Sequence, residues 1–510
     1  MAAVTASSQR PPATSASPDA ETGPLGGRRE LWLLGAIVAA GAAIRFSTLD
    51  QQSFWLDEAT TWGIVSHGLG HVLSAVPRTE STPPLYYVLA WLWAQLFGTG
   101  EVGLRSLSAV FGTAAIPVMW ALGRRLASVR VGLAAALLTA VNPLLFWYSQ
   151  EARTYSLLVL LSALSLLAFM RAVARPSPGR LLTWGVVCAL ALLSHYFAAF
   201  VIVGEAAWLL VSLHRRGALT APRAAIALAP VVVVAGALVP LVARQNDGRA
   251  SFISTASGSL PYRAGQLVKQ DILGDGQPLK ALLLAIGLAL VAAAIALLLT
   301  RGEGRERSGA PMAATIGVGG AVLAFIVAAI VTDYFDTRNL LATWPALALV
   351  VATGFGARRA GRAGAIGLGA LTVLSLVCIG NVIGNPDFQR DNWRGAVQAL
   401  GPATTPRAIV ADAGSAIPLA PYARSLRSYP LGGTPVSEVD MIWLGRRAYG
   451  KPLVPAAPVA LAGFSERVIR TSSYLVVRYR ARTPAPAVKS LVTLRQLYPI
   501  PGRGTAYLQR

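Results

Sequence analysis

Long apolar segments recur along most of this chain, and they exclude nearly every soluble fold. A membrane-spanning helix needs roughly 20 predominantly apolar residues to cross about 30 Å of hydrocarbon. With 54% hydrophobic and 13% charged residues over 510 positions, the composition is too apolar for a soluble enzyme. We predict an all-α polytopic membrane domain with about 11 transmembrane helices. The predicted spans are residues 31–49, 104–126, 131–147, 155–174, 181–194, 197–213, 224–242, 279–300, 313–331, 340–355 and 363–383.

Basic residues fall in alternate loops between these spans. Arg and Lys in short loops near span ends favour the cytoplasmic side of a membrane. The net charge of +22 therefore reports topology and does not point to a nucleic-acid partner. We predict a multi-pass plasma-membrane protein whose amino terminus is cytoplasmic. The clusters that share this side are Arg28-Arg29, Arg124-Arg125-Arg130, Arg171-Arg175-Arg180, Arg215-Arg216-Arg223, Arg301-Arg305-Arg307 and Arg358-Arg359-Arg362.

One further apolar segment, residues 84–97, does not fit this alternation as a span. It is short and rich in Tyr and Trp, which suits an interfacial helix. Counting it as a span would invert every later loop and scatter the basic clusters over both sides. We place it, together with the amphipathic stretch 60–76, in a large first outer loop over residues 50–103.

The two ends of the chain differ from its apolar middle. The start is rich in Ala, Ser, Thr and Pro, and we predict a disordered cytoplasmic tail over residues 1–30. The membrane domain follows over residues 31–383. Hydropathy then collapses, so residues 384–510 are predicted to form an extracytoplasmic C-terminal domain of mixed α/β type. Its predicted elements are a helix capped by Asp391-Asn392 and strands at 408–411 and 474–479.

Ionisable and aromatic side chains collect at the outer ends of the predicted spans. An ionised side chain at the bilayer centre costs about 2.5–3.5 kcal/mol on insertion scales, so charges at span ends should meet water or one another. A cavity shared by several outer loops is one solution. The residues are Asp57, Glu58, Glu80, Tyr148, Glu151, Arg153, His195, Tyr196, Asp333, Asp336 and Arg338.

An adjacent acidic pair, Asp57-Glu58, follows the first span directly after Phe54-Trp55-Leu56. A carboxylate held there is suited to act as a general base, which is worth roughly a hundredfold to ten-thousandfold in rate. The alternative is a solvated loop end whose Asp caps the next helix. Spacing alone favours neither interpretation.

Two other outer pairs have plain structural alternatives. Glu151 and Arg153 open a predicted span, where they would pair with each other and where negative charge stabilises a helix start. His195 and Tyr196 would pack together at the interface, since a single His is more often structural than catalytic.

Arg338 breaks the charge rule, because positive-inside bias does not place an Arg in a short outer turn. A guanidinium on this face suits an anionic ligand such as a phosphate, which it binds by charge-assisted bidentate hydrogen bonds. The alternative is an ion pair with Asp333 or Asp336.

Taken together, these patterns resemble the GT-C membrane glycosyltransferases, in the family 39-like group of protein O-mannosyltransferases and the lipid A aminoarabinose transferase. The likeness covers about the first 215 residues well and the later spans by hydropathy only. The residues that carry it are Phe54-Trp55-Leu56-Asp57-Glu58, Pro83-Pro84-Leu85-Tyr86-Tyr87, Leu104-Arg105-Ser106-Leu107-Ser108-Ala109, and Pro143 followed by Tyr148-Ser149-Gln150-Glu151-Ala152-Arg153-Thr154-Tyr155.

The resemblance implies transfer of a sugar, with mannose first by analogy, from a polyprenyl-phosphate carrier. The acceptor would be a hydroxyl of a glycan, lipid or protein on the outer face. It implies that Asp57 is the base, that Glu58 orients the acceptor and that Glu151 is a second acidic group. The substrate-binding residues would be Arg78, Tyr148, Arg153, His195, Tyr196 and Arg338, with Arg153, His195 and Arg338 lining the carrier phosphate.

The first outer loop departs from this family in one place. Relatives often carry Lys, His or Asp just before Pro83, where this chain has Glu80-Ser81-Thr82, and Arg78 is the nearest substitute. Some distant GT-C enzymes hold a divalent metal between acidic loop residues, whereas closer ones do not. Asp57 and Glu151 are the candidate ligands for such a metal, but two carboxylates do not establish a site. A divalent metal therefore stays an open alternative, and no other cofactor is assigned.

A polytopic transporter or lipid flippase without transferase chemistry is the competing interpretation. Such proteins place polar groups near the bilayer midplane, often with internal repeats and broken helices. The sequence indicates neither a repeat nor a charge in the middle of a predicted span. A third possibility, a silent scaffold for the outer domain, does not account for Asp57-Glu58 and Glu151.

Overall fold

A computed structural model gives the fold, and it describes residues 27–245, 258–423, 426–430, 434–444, 464–481, 494–495 and 504–509. The predicted tail over residues 1–30 lies almost wholly outside this range. The described α-helices are α1 (Arg28–Phe46), α2 (Leu56–Val65), α3 (Leu69–Thr79), α4 (Leu85–Phe97), α5 (Glu101–Leu126), α6 (Val129–Val141), α7 (Pro143–Ser149), α8 (Tyr155–Ala174), α9 (Pro178–Ser194), α10 (Ala199–Arg215), α11 (Ala221–Gln245), α12 (Leu260–Leu273), α13 (Lys280–Arg301), α14 (Gly304–Ile330), α15 (Trp344–Gly356), α16 (Gly361–Gly384), α17 (Trp393–Leu400) and α18 (Ala416–Leu419).

Every predicted span coincides with a helix or with a bent pair of helices. Eight described helices are long and apolar enough to cross a membrane, or nine if the pair α6–α7 counts as one span. The two remaining predicted spans fall short of that measure. Helix α1 carries Arg29, Glu30 and Arg45 within its length, and α9 has only 17 residues. The prediction of a polytopic, all-helical membrane domain is confirmed.

The pair α6–α7 breaks at Asn142-Pro143 and bends by 56°. Pro143 has no N–H, so the Thr139 carbonyl four residues earlier loses its helical donor. Arg45, at the end of α1 and fully buried, replaces that donor. Its guanidinium donates to the carbonyls of Thr139 and Ala140, each at 2.8 Å. Because the buried cation and the freed carbonyls satisfy one another, the break is fixed in place.

The segment between α1 and α5 folds as the three short helices α2, α3 and α4. Helix α4 has 13 residues, which is about 20 Å and too short to cross a bilayer. Its Leu92 and Leu96 are exposed, as expected for a helix that lies against a membrane surface. By its length α4 cannot cross a bilayer alone, and its place in the outer loop stays a prediction.

The charged span ends gather at one end of the helical bundle, which we call the basic end. Glu30, at the start of α1, lies 3.6 Å from Arg124 at the end of α5 and accepts a hydrogen bond from Trp120 Nε1 at 3.0 Å. Arg130 donates to the Arg358 carbonyl at 3.4 Å. Alternation of basic loops predicted this clustering. The opposite end carries the helices α2–α4 and the C-terminal domain, and we call it the loop end.

Glu205 corrects one inference from the sequence. It lies within the predicted span 197–213, in α10, and is fully buried. Its carboxylate accepts hydrogen bonds from Ser165 Oγ at 3.0 Å and Trp184 Nε1 at 2.7 Å. The statement that no span carries a charge near its middle is therefore wrong. Its cost is reduced because both oxygens have donors inside the bundle.

The C-terminal domain is built on a mixed sheet of six strands in the order β2-β6-β1-β3-β5-β4. Strands β1 and β3 pair in parallel, and the other pairs are antiparallel. The predicted strands 408–411 and 474–479 appear as β1 and β5, and Asn392 caps α17 as predicted. The strands are β1 (Arg407–Asp412), β2 (Arg427–Ser428), β3 (Glu438–Leu444), β4 (Phe464–Arg470), β5 (Tyr474–Ala481) and β6 (Gly504–Gln509).

The C-terminal domain is hydrogen-bonded to the segment between α1 and α2. Ser53 Oγ donates to the Asp391 carbonyl at 2.6 Å and accepts the backbone N–H of Trp393 at 3.0 Å. The hydroxyl of Tyr422 accepts the backbone N–H of Phe54 at 2.6 Å. The start of the first loop is thus held from the C-terminal side as well as from the bundle.

Candidate active site

Asp57 lies in the first turn of α2 and faces Arg338, which lies in the 3₁₀ helix Thr337–Thr343. Arg338 Nη1 donates to Asp57 Oδ2 at 3.0 Å. Arg338 Nε lies 3.7 Å from Asp336 Oδ1, and Asp336 also accepts the backbone N–H of Arg338 at 3.1 Å. The side chains of Asp57 and Arg338 are 24% and 27% exposed. A ligand can therefore reach this pair from solvent.

Glu58, the next residue along α2, points into the protein and is fully buried. Arg105, in the first turns of α5, binds it with both prongs of its guanidinium, at 2.7 Å and 2.6 Å. The backbone N–H of Ala152 adds a third donor at 2.9 Å. Burial alone would raise the pKa of Glu58, but the charges of Arg105 and Arg390 and these donors outweigh it, so the pKa lies below its usual range.

Glu80, at the end of α3, binds Arg153 from the loop between α7 and α8. Arg153 Nη1 lies 2.8 Å from both carboxylate oxygens, and both side chains are nearly fully buried. The guanidinium also lies over the ring of Tyr87, with its carbon 5.9 Å from the ring centroid. Arg153 Nε has no hydrogen-bond partner among the described residues. The alternative in which Arg153 pairs with Glu151 is therefore wrong, because the side chain of Arg153 binds Glu80.

Glu151 is also buried, and its partner comes from the far end of the membrane domain. Arg390, six residues after the end of α16, donates to Glu151 Oε2 at 2.8 Å and stacks on the ring of Trp147 at 4.0 Å. Glu151 Oε1 has no hydrogen-bond partner among the described residues. Burial raises the pKa of Glu151, and the charge of Arg390 only partly offsets this effect.

His195 separates α9 from the next helix and is 1% exposed. Its Nδ1 accepts the backbone N–H of Phe197 at 3.3 Å, while Nε2 has no partner within the described part of the chain. Its ring lies 6.0 Å from that of Tyr155, which in turn lies 4.8 Å from that of Tyr148. Burial, together with the positive charges of Arg153 and Arg338, lowers the pKa of His195 to about 3, so the imidazole is neutral.

Two predicted substrate-binding residues, Tyr196 and Arg78, have hydrogen bonds to residues other than Asp57 and Arg338. Tyr196 donates from its hydroxyl to Gln245 Oε1 at 2.7 Å. Gln245 in turn donates to the carbonyls of Val76 and Thr82, so Tyr196 ties the bundle to the first loop. Arg78 is exposed in the last turn of α3, where it lies 3.4 Å from a neighbouring Ser hydroxyl.

The ion-pair alternative for Arg338 holds in part. Arg338 does approach Asp336, but its hydrogen-bonded carboxylate is that of Asp57. Asp333 is bound by Arg263 of α12 instead, with Arg263 Nη1 at 2.8 Å from Asp333 Oδ1.

Sequence reasoning missed two arginines that hold the predicted acids. Arg105 follows Glu58 by 47 residues, and Arg390 follows Glu151 by 239, so no local pattern joins either pair. A signal was nevertheless present. Both lie on the side of the predicted topology where positive-inside bias does not place Arg, which is the argument that singled out Arg338.

Comparison with known proteins decides the type of fold. Residues 81–240 match the family model described as dolichyl-phosphate-mannose-protein mannosyltransferase. The chain is similar in structure to ArnT from Cupriavidus metallidurans in the apo state, with a TM-score of 0.55 and 16% identity over 88% of this chain and 98% of that one. The chain has the GT-C fold. This confirms the predicted resemblance at the level of the fold.

A second ArnT structure, bound to undecaprenyl phosphate, aligns equally well. Its TM-score is 0.54 at 15% identity, over 87% of this chain and 97% of that one. At such identities the likeness establishes the GT-C fold, including its C-terminal domain. No protein of curated function matches the sequence.

The buried acids around Asp57 leave few carboxylate oxygens for a divalent metal. Within the described ranges, no group of three or more His, Cys, Asp or Glu side chains is placed to bind a metal ion. Glu58 and Glu80 give both carboxylate oxygens to Arg, and Glu151 gives one. Hard cations need several free oxygens at once, and these carboxylates do not supply them.

An apolar crevice of about 520 Å³ lies between the membrane helices. Asn142 and Asp271 lie in its wall near the break of α6–α7, and Trp344, next to the 3₁₀ helix of Arg338, also lines it. Arg307 of α14 lines it toward the basic end. The remaining lining is mostly Leu, Ile, Val and Ala, which suits a hydrocarbon chain.

Proposed function

We propose that this protein transfers a sugar from a polyprenyl-phosphate carrier to an acceptor hydroxyl, with Asp57 as general base. One observation carries the proposal: Asp57 is the accessible one of the three predicted catalytic acids, Asp57, Glu58 and Glu151. Its side chain is 24% exposed, whereas Glu58 and Glu151 are buried and bound to arginines. A general base must reach the proton that it removes, and buried, paired carboxylates are poorly placed to do so.

The proposed reaction needs only Asp57, the acceptor hydroxyl and the sugar on its carrier phosphate. Asp57 removes the proton of the acceptor hydroxyl as that oxygen attacks the anomeric carbon of the sugar. The bond between this carbon and the carrier phosphate oxygen breaks, and the electron pair leaves on the phosphate. A direct displacement of this kind inverts the anomeric configuration. The carrier phosphate departs with an added negative charge, which nearby cations stabilise.

Arg338, Arg153 and His195 are the proposed ligands of that phosphate and its sugar. Arg338 is partly exposed and holds a fork of donors suited to phosphate oxygens. Arg153 Nε and His195 Nε2 are buried polar atoms without partners among the described residues. Leaving such atoms unpaired costs about 1–3 kcal/mol each, and a bound polar substrate would recover part of that free energy.

The carrier's hydrocarbon chain has a suitable place in the apolar crevice next to Trp344. The ArnT structure of similar fold was determined bound to undecaprenyl phosphate, and a lipid carrier of this class is the donor that we assign here. Tyr148 and Tyr155, whose rings are 4.8 Å apart, would then border the sugar. Aromatic side chains commonly line ligand sites with few polar groups.

Mannose is the first sugar to test, because the matching family model is that of mannosyltransferases. We place the reaction on the extracytoplasmic face of the plasma membrane, with the amino terminus in the cytoplasm. This orientation follows from the basic end of the bundle by the positive-inside rule. The transfer domain is then residues 31–383, and residues 384–510 form the outer domain.

The test measures transfer of radiolabelled sugar from polyprenyl-phosphate-mannose, with other polyprenyl sugars in parallel, in membranes that contain the wild type or Asp57→Asn. We expect Asp57→Asn to lose at least about a hundredfold in rate. Asp50→Asn, an exposed acid in the same loop, is the matched control and should keep its rate. Equal transfer by Asp57→Asn would remove Asp57 from the mechanism. Absence of transfer from every carrier would favour a transporter.

A further inference from the structure

Arg390 is a buried cation that the proposed chemistry does not use. Its side chain is 1% exposed, although it lies in a connecting segment between α16 and α17. Its guanidinium donates to Glu151 Oε2 at 2.8 Å and to the Trp147 carbonyl at 3.2 Å, and its Nε lies 4.0 Å from Glu58 Oε2. One guanidinium thus stands between two of the predicted catalytic acids.

Together with Arg105 these residues form a chain of charges, which we call the buried quartet. Its members are Arg105, Glu58, Arg390 and Glu151, and each is no more than 1% exposed. Two cations and two anions alternate, so the quartet is neutral as a whole. Removing one cation leaves a buried carboxylate without compensation, which is much more costly than removing a matched pair.

The quartet is connected to the site through the first turn of α2. Glu58 and Asp57 are consecutive helical residues, so their side chains point about 100° apart. Glu58 points into the quartet, and Asp57 points to Arg338 at 3.0 Å. Because α2 behaves as a rigid unit over one turn, the position of Glu58 sets the direction of Asp57.

The backbone around Arg390 adds a second connection to the same loop. The N–H of Arg390 donates to Gln52 Oε1 at 2.8 Å. Three residues on, Trp393 donates its N–H to Ser53 Oγ at 3.0 Å, and Arg394 binds Glu101 at the start of α5. The segment therefore holds the chain immediately before α2 as well as the carboxylates beside it.

We propose that Arg390 is a positioning residue for Asp57, through which the segment entering the C-terminal domain becomes part of the transferase site. It bridges Glu58 and Glu151 and thereby fixes the first turn of α2. Glu151 acts in this arrangement as the partner of Arg390. The C-terminal domain then affects the reaction through the geometry of the base, without touching substrate.

The first test measures how accessible the side chain at position 57 is. It does not depend on activity, so its result is valid even if the proposed reaction is wrong. Both native cysteines, Cys188 and Cys378, are fully buried and should react little with the label. Asp57→Cys therefore supplies the accessible thiol. Its labelling rate with a maleimide is measured alone and combined with Arg390→Met. We expect Arg390→Met to change the rate about threefold or more, in line with a reoriented α2.

Arg480→Met is the matched control for this measurement. Arg480, in β5 of the C-terminal domain, also binds a carboxylate, that of Glu438, but its side chain is 55% exposed and lies outside the quartet. We expect the labelling rate in this background to stay near that of Asp57→Cys alone. Equal rates in the Arg390→Met and Arg480→Met backgrounds would overturn the proposal.

The second test is kinetic and rests on the proposed transfer reaction. Arg390→Met should lower kcat about tenfold or more with little change in the KM for the donor, since a small misplacement of a catalytic group is costly. The double variant Arg390→Met/Glu151→Gln removes both charges but still lacks the bridge to Glu58, so it should stay about as slow as Arg390→Met. Recovery of kcat in the double variant would show that the unpaired charge of Glu151 causes the loss, and it would overturn the positioning role. A wild type without transfer would instead refute the proposed function and leave the labelling test intact.

Discussion

Arg338 Nη1 lies 3.0 Å from Asp57 Oδ2, so the proposed phosphate ligand and the proposed base form a single ion pair. The two residues are 281 positions apart in sequence and come from different ends of the membrane domain. A carrier phosphate that approaches Arg338 would compete with Asp57 for the N–H groups of the guanidinium. Binding of the polyprenyl-phosphate sugar would then weaken the Asp57–Arg338 ion pair at the step when Asp57 must take a proton.

Substitution of Arg338 should therefore affect donor binding and rate together. We expect Arg338→Gln to raise the KM for the polyprenyl-phosphate donor and to lower kcat/KM about 10- to 100-fold, or about 1.4–2.7 kcal/mol. Arg338→Lys should lose less, because it keeps the charge but not the planar fork. Arg359→Gln, at the basic end, is the control. An unchanged donor KM in Arg338→Gln would exclude Arg338 as a phosphate ligand.

The buried and exposed ion pairs of this chain should differ sharply in their effect on stability. Glu58→Gln leaves Arg105 without a full partner in a buried site, and we expect a loss of about 3–5 kcal/mol in the free energy of unfolding. Glu303→Gln breaks a solvent-exposed pair with Arg359 and should cost about 1 kcal/mol or less. Unfolding of both variants in detergent gives the comparison, and similar losses would contradict it.

The positions of the membrane helices were predictable because their signal is local. A run of apolar residues identifies each span by itself. The alternation of basic loops then indicates at which side of the membrane each span begins and ends. Helix α9 illustrates the limit, since its 17 residues qualify as a span only in the context of its neighbours. The bend at Pro143 was foreseeable from the missing N–H, but its repair by Arg45 from another helix was not.

The roles of the acidic residues were harder to predict, because they depend on partners far away in sequence. Asp57 and Glu58 look equivalent in the sequence, yet one is partly exposed and the other is buried against Arg105. Glu151 and Arg153, only two residues apart, pair with different partners, Arg390 and Glu80. Tertiary contacts alone separate the accessible carboxylate from the positioning ones.

The break between α6 and α7 should depend on Arg45. Its guanidinium supplies the donors for the carbonyls of Thr139 and Ala140, which would otherwise be buried without partners. We expect Arg45→Met to lower the free energy of unfolding by about 2–4 kcal/mol, on the scale of one to two unpaired buried groups. Arg28→Met, at the exposed start of α1, should have little effect. Thermal unfolding in detergent measures both, and a stable Arg45→Met would show that water replaces the guanidinium.

The buried neutral His195 predicts a loss of stability in acid. Its pKa is about 3 in the folded chain, below the ordinary value of 6.5, so the unfolded chain binds a proton that the folded chain does not. The stability that His195 contributes is complete above pH 6.5 and falls as the pH drops toward 3, by about 2 kcal/mol between pH 7 and pH 5. His195→Gln cannot titrate and should lose about that much less over the same interval. The measurement is the free energy of unfolding of both proteins at the two pH values. Equal losses would mean that the folded and unfolded chains protonate His195 alike, and Nδ1 would then no longer accept the N–H of Phe197.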